Sequence, residues 1–175
     1  GLIRKDVKAP EPIPAEQIDF THPNLAFTLR MTDHHGAESR IWYSYDRGKD
    51  WKGPFGLPNF GTPGIGARTD YIIDGKKECM LFLTAAKANG KEGRVMCVKT
   101  IDGGKNWDFV AWIGPEPEGF SIMPASVRIS DTEILVTTRR REDSRRFIDA
   151  YLSKDNGATW QPLANPVENC GQGNP

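Results

Sequence analysis

The segment that decides the fold is TIDGGKNW at residues 100–107, which has two further copies, SYDRGKDW at 44–51 and SKDNGATW at 153–160. We name the copies box 1 (44–51), box 2 (100–107) and box 3 (153–160). They share the pattern hydroxyl-x-Asp-x-Gly-x-x-Trp and align without gaps. Near-constant spacing of such a pattern is typical of a protein built from one repeated structural unit.

Each box contains the residues of a rigid turn between two strands. The aspartate and the hydroxyl can accept N–H bonds within the turn, and the glycine permits a positive φ. The tryptophan is expected to bury its ring over the turn. We interpret these residues as structural rather than catalytic, namely Asp46, Gly48, Trp51, Asp102, Gly104, Trp107, Asp155, Gly157 and Trp160.

Short apolar runs separated by turn residues fill each repeat. Four short strands per repeat, without an amphipathic helical period, predict an all-β fold of the β-propeller type. The predicted blades span about 18–58, 59–117 and 118–167, and the tail 168–175 is interpreted as leading into a further blade. The innermost strand of the first blade has no clear run, and the Pro-rich segment 8–14 is a candidate for it.

The boxes resemble the Asp-box, or bacterial neuraminidase repeat, of the sialidase superfamily. The resemblance covers nearly the whole chain and implies a sialidase-type propeller, six-bladed when complete. Six blades of about 54 residues need about 325 residues, whereas this chain has 175. We therefore expect the remaining blades, or a second copy of the chain, as a partner. The resemblance also favours a secreted or periplasmic protein, although the first residues lack the features of a signal peptide.

The composition excludes several functional classes. Lys plus Arg and Asp plus Glu are both 23, and this zero net charge argues against a nucleic-acid partner. No apolar run approaches the length of a membrane span. The three His and three Cys are too scattered for a four-ligand metal site, so neither a metal nor a cofactor is expected. Cys79 and Cys97 are predicted to be buried free thiols on neighbouring strands.

Strand alternation sorts the loops of a propeller onto two faces. The boxes, as turns between third and fourth strands, mark one face, and the links between blades lie on the other. The resemblance implies that a ligand site lies on this second face, around the axis. The candidates from the loops assigned to that face are His34, His35, Arg68, Asp70, Arg139, Arg140 and Arg141.

The chemistry of these candidates suits an acidic sugar. Guanidinium groups bind a carboxylate through two parallel hydrogen bonds, so we assign Arg68 and Arg139–Arg141 to substrate binding. We assign Asp70 to catalysis as the general acid, together with His34 and His35. Each also has a structural interpretation: Arg68 and Asp70 pair with each other, the arginine run is a solvated loop edge, and the histidines form a polar turn.

These residues predict a sialidase-like glycoside hydrolase that releases a terminal acidic sugar from a glycan. Two alternatives stay open. One is a hydrolase or lyase that acts on a uronic-acid polysaccharide through His34 or His35, and the other is a non-catalytic carbohydrate-binding or scaffold propeller. The sequence departs from the sialidase pattern, because the segment 122–124 (IMP) lacks the Arg that precedes Ile-Pro in that family, and no Tyr–Glu nucleophile pair is identified.

Overall fold

The computed structural model describes residues 8–11, 13–14 and 16–169, without the side chains of residues 67, 68 and 92. The described residues form strands and turns, and among them no helix is long and apolar enough to cross a membrane. The strands are β1 Ala26–Met31, β2 Ser39–Ser44, β3 Lys52–Gly56, β4 Ile65–Ile73, β5 Cys79–Ala86, β6 Glu92–Thr100, β7 Asp108–Trp112, β8 Phe120–Arg128, β9 Ile134–Glu142, β10 Arg145–Ser153 and β11 Gln161–Pro162.

The strands form three antiparallel sheets, which are successive blades of a partial propeller. Blade 1 has the order β1-β2-β3, blade 2 has β4-β5-β6-β7, and blade 3 has β8-β9-β10-β11. Each box connects the last two strands of its blade. The prediction of an all-β propeller with third-to-fourth box turns is therefore confirmed.

Blade 1 has three strands among the described residues, whereas blades 2 and 3 have four. Because box 1 connects β2 and β3, β1 corresponds to a second strand, and no described residue fills the innermost position. The Pro-rich start does not fill it, since Glu11 forms a parallel bridge with Phe55 of β3 and donates its N–H to the Pro54 carbonyl at 2.9 Å. The described residues of 8–14, which the sequence made a candidate for the innermost strand, therefore do not occupy that position. Prolines lack the N–H groups of a central ladder and belong at an edge.

The box turns are held by hydrogen bonds within the turn. In box 2 the Asp102 carboxylate accepts bonds from the Thr100 hydroxyl and from the Asn106 N–H, both at 2.9 Å. The Gly104 N–H donates to the Thr100 Oγ1 at 3.0 Å, and its φ of 81° would strain any other residue. Equivalent bonds recur in boxes 1 and 3.

Two hydrophobic clusters fill the spaces between neighbouring blades. Strand β5 contributes to both, because alternate side chains of a strand point to opposite faces. Leu81 and Leu83 lie in the cluster between blades 1 and 2, whereas Met80 and Phe82 lie in the cluster between blades 2 and 3. All eight residues of β5 are buried, which explains why its sequence is a nearly continuous apolar run.

Cys79 and Cys97 are free and buried, as the sequence predicts. Cys79 lies in the cluster between blades 1 and 2, and Cys97 lies in the cluster between blades 2 and 3. The two thiols thus point to opposite faces of blade 2 and do not pair. Burial raises the pKa of both thiols, that of Cys97 to about 12, so both are protonated at neutral pH.

The box tryptophans differ in burial. Trp107 is 7% exposed and contacts Phe20 edge-on, with ring centroids 6.5 Å apart. Trp160 is half-buried against Phe82, at 6.2 Å between centroids. Trp51 is 44% exposed, so the expectation that all three rings are buried is wrong for box 1. Trp107 and Trp160 each pack toward the preceding blade, and blade 1 has no preceding blade among the described residues.

We expect this difference to appear in the free energy of unfolding. Trp107→Ala should lower it by about 3–5 kcal/mol, because a buried aromatic ring is removed. Trp51→Ala should change it by about 0.5 kcal/mol or less, as for an ordinary surface position. Urea unfolding of the two variants measures both values, and equal losses would contradict the packing described for box 2.

Acid should destabilise the fold through the box aspartates. Hydrogen bonds from the Ser44 and Thr159 side chains hold the pKa values of Asp46 and Asp155 below their usual range. Such a carboxylate stabilises the fold above its unfolded pKa of about 4, and the contribution is lost as pH falls through the folded pKa. We expect the Tm to fall below about pH 4, and Asp155→Asn to have a lower Tm at pH 7 but a smaller acid loss. An unchanged acid profile in Asp155→Asn would refute this linkage.

Candidate functional site

The turns of the blades lie at two ends of the sheets. The three boxes share one end, which we call the box end, because antiparallel order brings every third-to-fourth turn to the same side. The opposite end, which we call the far end, contains the second-to-third turns and the links between blades. These segments are 32–38, 87–91 and 143–144, with the links 57–64 and 113–119.

The innermost strands of blades 2 and 3 both contain a β-bulge. The register of β4 on β5 shifts between Gly66 and Asp70, and that of β8 on β9 shifts between Ile122 and Ala125. Met123, in the second bulge, has a φ of 56°, which is uncommon for a residue with a side chain. Bulges and strained backbone are over-represented next to active sites. The paired bulges therefore mark the candidate site.

Two threonine hydroxyls hold the bulges in place. The Thr69 hydroxyl donates to the Phe82 carbonyl at 2.5 Å, within blade 2. The Met123 N–H donates to the Thr84 hydroxyl at 3.3 Å. Because Thr84 belongs to β5 and Met123 to β8, this second bond fixes the β8 bulge against the neighbouring blade.

Asp70 lies within β4, directly after the bulge, and not in the link before the strand as predicted. The bulge extends the strand back to Ile65, and sequence patterns do not show where a bulged strand begins. The half-buried carboxylate accepts bonds at Oδ2 from the Ser126 backbone N–H at 2.7 Å and the Ser126 hydroxyl at 2.8 Å. Since Ser126 belongs to β8, Asp70 joins the innermost strands of two blades.

Arg68 belongs to the β4 bulge. Its side chain lies outside the described part of the structure. Pairing with Asp70 and binding of a ligand both stay predictions for this residue.

The three consecutive arginines lie in strand β9 and not in a loop, because the strand continues to Glu142. Because successive side chains of a strand point to opposite faces, Arg139 and Arg141 lie on one face and Arg140 lies on the other. The three arginines therefore do not form one cluster. Arg139 is half-buried, and its guanidinium lies 3.8 Å from the Met123 sulfur, beside the β8 bulge. Arg141 is exposed and donates from Nε to the Asp143 carbonyl at 3.0 Å.

Arg140 is buried in a polar network that sequence reasoning missed. Its guanidinium lies 3.3 Å from Asp149 Oδ2 and also bonds Glu142, and the Tyr151 hydroxyl donates to Asp149 Oδ2 at 3.2 Å. Burial raises the pKa of Asp149, opposed by Arg140, and it raises the pKa of Tyr151 to about 12. The carboxylates that engage Arg140 favour a structural role. The sequence contained one indication of this network, because an aspartate interrupts the apolar run 147–152.

His34 and His35 are exposed in the β1–β2 turn at the far end. The His34 backbone N–H donates to the Asp33 carboxylate at 2.5 Å. The turn is held against the start of β4, because the Ile65 N–H donates to the Ala37 carbonyl at 2.8 Å. Among the described residues, His, Cys, Asp and Glu form no group of three that could hold a metal ion.

Lys87 supports the site in a way that the sequence did not indicate. Its buried ammonium donates to three consecutive carbonyl oxygens, those of Pro117, Glu118 and Gly119, at 3.0, 3.1 and 2.7 Å. These residues end the link that leads into β8. The lysine therefore fixes the position at which β8 begins and the bulge that follows.

Comparison with known proteins agrees with this architecture. The family model described as BNR/Asp-box repeat matches residues 151–162. The match covers box 3 and agrees with the β-propeller fold of the chain. A search of curated proteins finds no significant match to the sequence.

Solved structures share the propeller fold at low identity. The GH93 α-L-arabinofuranosidase of Fusarium graminearum, in complex with arabinobiose, aligns with a TM-score of 0.58 and 14% identity over 90% of this chain and 51% of that chain. A protein of unknown function from Dyadobacter fermentans aligns with a TM-score of 0.57 and 17% identity over 79% of this chain and 37% of that chain. This chain thus spans about a third to half of the length of these proteins. At these identities the likeness shows the fold.

We expect Asp70 to stabilise the contact between blades 2 and 3. Asp70→Ala should lower the free energy of unfolding by about 1.5–3 kcal/mol, because hydrogen bonds to a charged acceptor are lost. Ser126→Ala removes the hydroxyl bond and keeps the backbone N–H bond, so its loss should be smaller, about 0.5–1.5 kcal/mol. Urea unfolding compares the two variants. If neither differs from the parent, the contact does not stabilise the fold.

Proposed function

We propose that the complete propeller is a glycoside hydrolase that releases a terminal acidic sugar, sialic acid or a similar one, from glycans. This chain contributes part of the site at the far end. The observation that carries the proposal is the pair of neighbouring bulges in β4 and β8, with Asp70 directly beside them. A glycoside hydrolase is among the proteins that have this fold, which supports the reaction class without identifying the sugar.

Asp70 is the general acid in this proposal. Its protonated carboxyl donates to the glycosidic oxygen while the bond between that oxygen and the anomeric carbon breaks. The two bonds from Ser126 orient the carboxyl relative to the bulge. The residue that acts as nucleophile or base is assigned to the blades that complete the ring.

The acidic character of the sugar is inferred from arginines at the same end. The Arg139 guanidinium lies next to the sulfur of Met123 in the β8 bulge, and Arg68 belongs to the β4 bulge. A guanidinium is suited to the carboxylate of an acidic sugar, because it offers two parallel N–H donors. We leave Arg140 and Arg141 out of the proposed site, since Arg140 is engaged by carboxylates and Arg141 is bonded in the exposed turn.

A non-catalytic glycan-binding propeller is the second candidate. The Asp70–Ser126 contact favours it, because this contact gives Asp70 a structural role that requires no catalysis.

A hydrolase or lyase that acts on uronic-acid polymers through His34 or His35 is the third candidate. The bond between Ala37 and Ile65 favours it, since that bond holds the histidine turn against β4.

The proposed site requires the remaining blades, so the test uses the complete protein. Glycans that end in sialic acid, uronic acid or arabinofuranose are supplied separately, and the released sugar is measured. We expect release of an acidic sugar. Asp70→Asn should lower kcat by about 10²–10⁴-fold with a small effect on KM, as for loss of a general acid. The matched control Asp108→Asn changes an exposed carboxylate on β7 and should behave like the parent.

The possible outcomes separate the candidates. Binding of acidic glycans without release would support the non-catalytic propeller. Release of arabinofuranose alone would refute the acidic substrate and retain the glycoside hydrolase. Loss of activity in His34→Ala or His35→Ala, with Asp70→Asn fully active, would support the histidine mechanism and refute Asp70 as the acid.

A further inference from the structure

A cavity of about 170 Å³ lies at the far end of blade 2. Its walls come from the link 57–64, the turn 87–91 and the link 113–119, together with Arg94 of β6 and Trp112 of β7. Blades 1 and 3 flank blade 2 on its two sides. These walls are therefore formed without any further blade.

Arg94 is a charged group of this cavity whose hydrogen bonds are incomplete. Its guanidinium carbon lies 4.1 Å from the centroid of the Trp112 ring, so the ring covers one face of the guanidinium. The side chain is 21% exposed, and its buried Nε has no hydrogen-bond partner among the described residues. Among the described side chains, Arg94 forms an ion pair with Glu116 alone, at a long 3.5 Å.

A second arginine at the far end shows that burial makes Arg94 unusual. The guanidinium carbon of Arg145 lies 5.1 Å from the centroid of the Phe147 ring, and Arg145 pairs with Glu168 at 3.8 Å. Its side chain is 64% exposed, so water completes its hydrogen bonds. Arg94 has the same kinds of partner but is largely withdrawn from water, and burial lowers its pKa. Such a charge is unfavourable unless an anion meets it.

Hydrogen bonds fix the walls around Arg94. The Thr62 hydroxyl donates to a carbonyl of its own link at 2.7 Å, and the Ala86 N–H donates to the Gly64 carbonyl at 2.8 Å. The Lys87 ammonium donates to three carbonyls of the link 113–119, so it holds that wall and is not free for a ligand. Walls that are fixed before binding lower the entropic cost of taking up a ligand.

We propose that this cavity binds the carboxylate of an acidic sugar residue, which takes the place of Glu116 at the Arg94 guanidinium. The Glu116 side chain is 50% exposed and can turn into solvent. A ligand carboxylate then accepts two parallel bonds from the guanidinium, in place of one long contact.

The size and the lining of the cavity favour a sugar as the source of the carboxylate. Its volume lies below the range of about 300–1,000 Å³ that is typical of pockets for drug-sized ligands, so it admits one small group such as a sugar ring. Pro63, Ala86 and Ala88 add apolar wall surface, which suits the C–H groups of such a ring.

The cavity is separate from Asp70. Ala86 lies on β5 four residues beyond Phe82, which pairs with Asp70, and this separation is about 13 Å along a strand. The cavity and Asp70 belong to the same end of blade 2, so a glycan with more than one acidic residue can reach both. The inference does not rest on the proposed hydrolysis, because binding at Arg94 requires no step at Asp70.

Titration of the complete protein with glucuronic acid tests the proposal, with the NMR signals of the Arg94 Nε–H and the Trp112 indole N–H as the readout. We expect both signals to shift and to saturate, whereas glucose, the neutral counterpart, should shift neither. Arg94→Gln should weaken binding about tenfold or more, as for loss of a buried charged partner. The matched control Arg145→Gln removes an exposed arginine with similar contacts and should bind like the parent.

Glu116→Gln separates a binding site from a structural ion pair. Removal of the competing carboxylate should strengthen the binding of glucuronic acid about two- to fivefold, the range for an exposed ion pair that the ligand displaces. A purely structural pair would show a lower Tm in this variant and no gain in binding, which would overturn the proposal. Because Glu116→Gln retains Arg94, it tests the proposal even if Arg94→Gln does not fold.

The remaining outcomes are equally decisive. Absence of a shift at Arg94 in the parent, or equal shifts with glucose, would overturn the proposal. Tighter binding of an aspartate-containing peptide than of glucuronic acid would assign the cavity to a protein partner and refute the sugar. Shifts that persist in Arg94→Gln but vanish in Arg139→Gln would place the binding at the β8 bulge. Asp70→Asn should leave the Arg94 shift unchanged, so this proposal and the proposed hydrolysis fail separately.

Discussion

Blade 2 buries both of its faces against its neighbours, and the rest of the structure depends on this packing. Strand β5 is buried along its whole length, with Leu81 and Leu83 on one side and Met80 and Phe82 on the other. A sheet with two apolar faces is not stable alone in water, because its apolar surface gains stability only by removal from solvent. Stacking of successive blades therefore stabilises the fold.

Polar contacts determine how neighbouring blades align. Near the box end, Arg128 of blade 3 lies 2.5 Å from Asp74 of blade 2 and bonds Asn156 at 3.0 Å. Between the inner strands, Asp70 accepts two bonds from Ser126. Apolar packing alone tolerates sliding of one sheet on another, whereas paired and hydrogen-bonded groups are satisfied at one alignment only. These contacts therefore determine which side chains of adjacent blades meet at the axis.

The fold was more predictable from the sequence than the site, for physical reasons. The boxes combine Asp, Gly and Trp in a local turn whose hydrogen bonds form within eight residues, so local sequence is sufficient to identify them. The position of Asp70 depends on a bulge, which is defined by pairing with a distant strand. The orientation of Arg139, Arg140 and Arg141 depends on whether the segment is strand or loop, because a strand sends alternate side chains to opposite faces. Trp51 is exposed because no described blade precedes blade 1, and a local sequence pattern does not show whether such a blade is present.

The backbone N–H and C=O groups find their hydrogen-bond partners in different ways at the two ends of the propeller. The box end contributes to stability, whereas the far end is the proposed place of function. At the box end the turns satisfy their own N–H groups through the box aspartates, which leaves little capacity for a ligand. At the far end the ladders of β4 and β8 are interrupted, and the Met123 N–H bonds the Thr84 side chain in place of a ladder carbonyl. Interrupted ladders redirect side chains and backbone groups away from the sheet plane. We therefore expect a ligand to bind where the repeat is least regular, and the regular boxes at the other end would supply the rigidity that such a site requires.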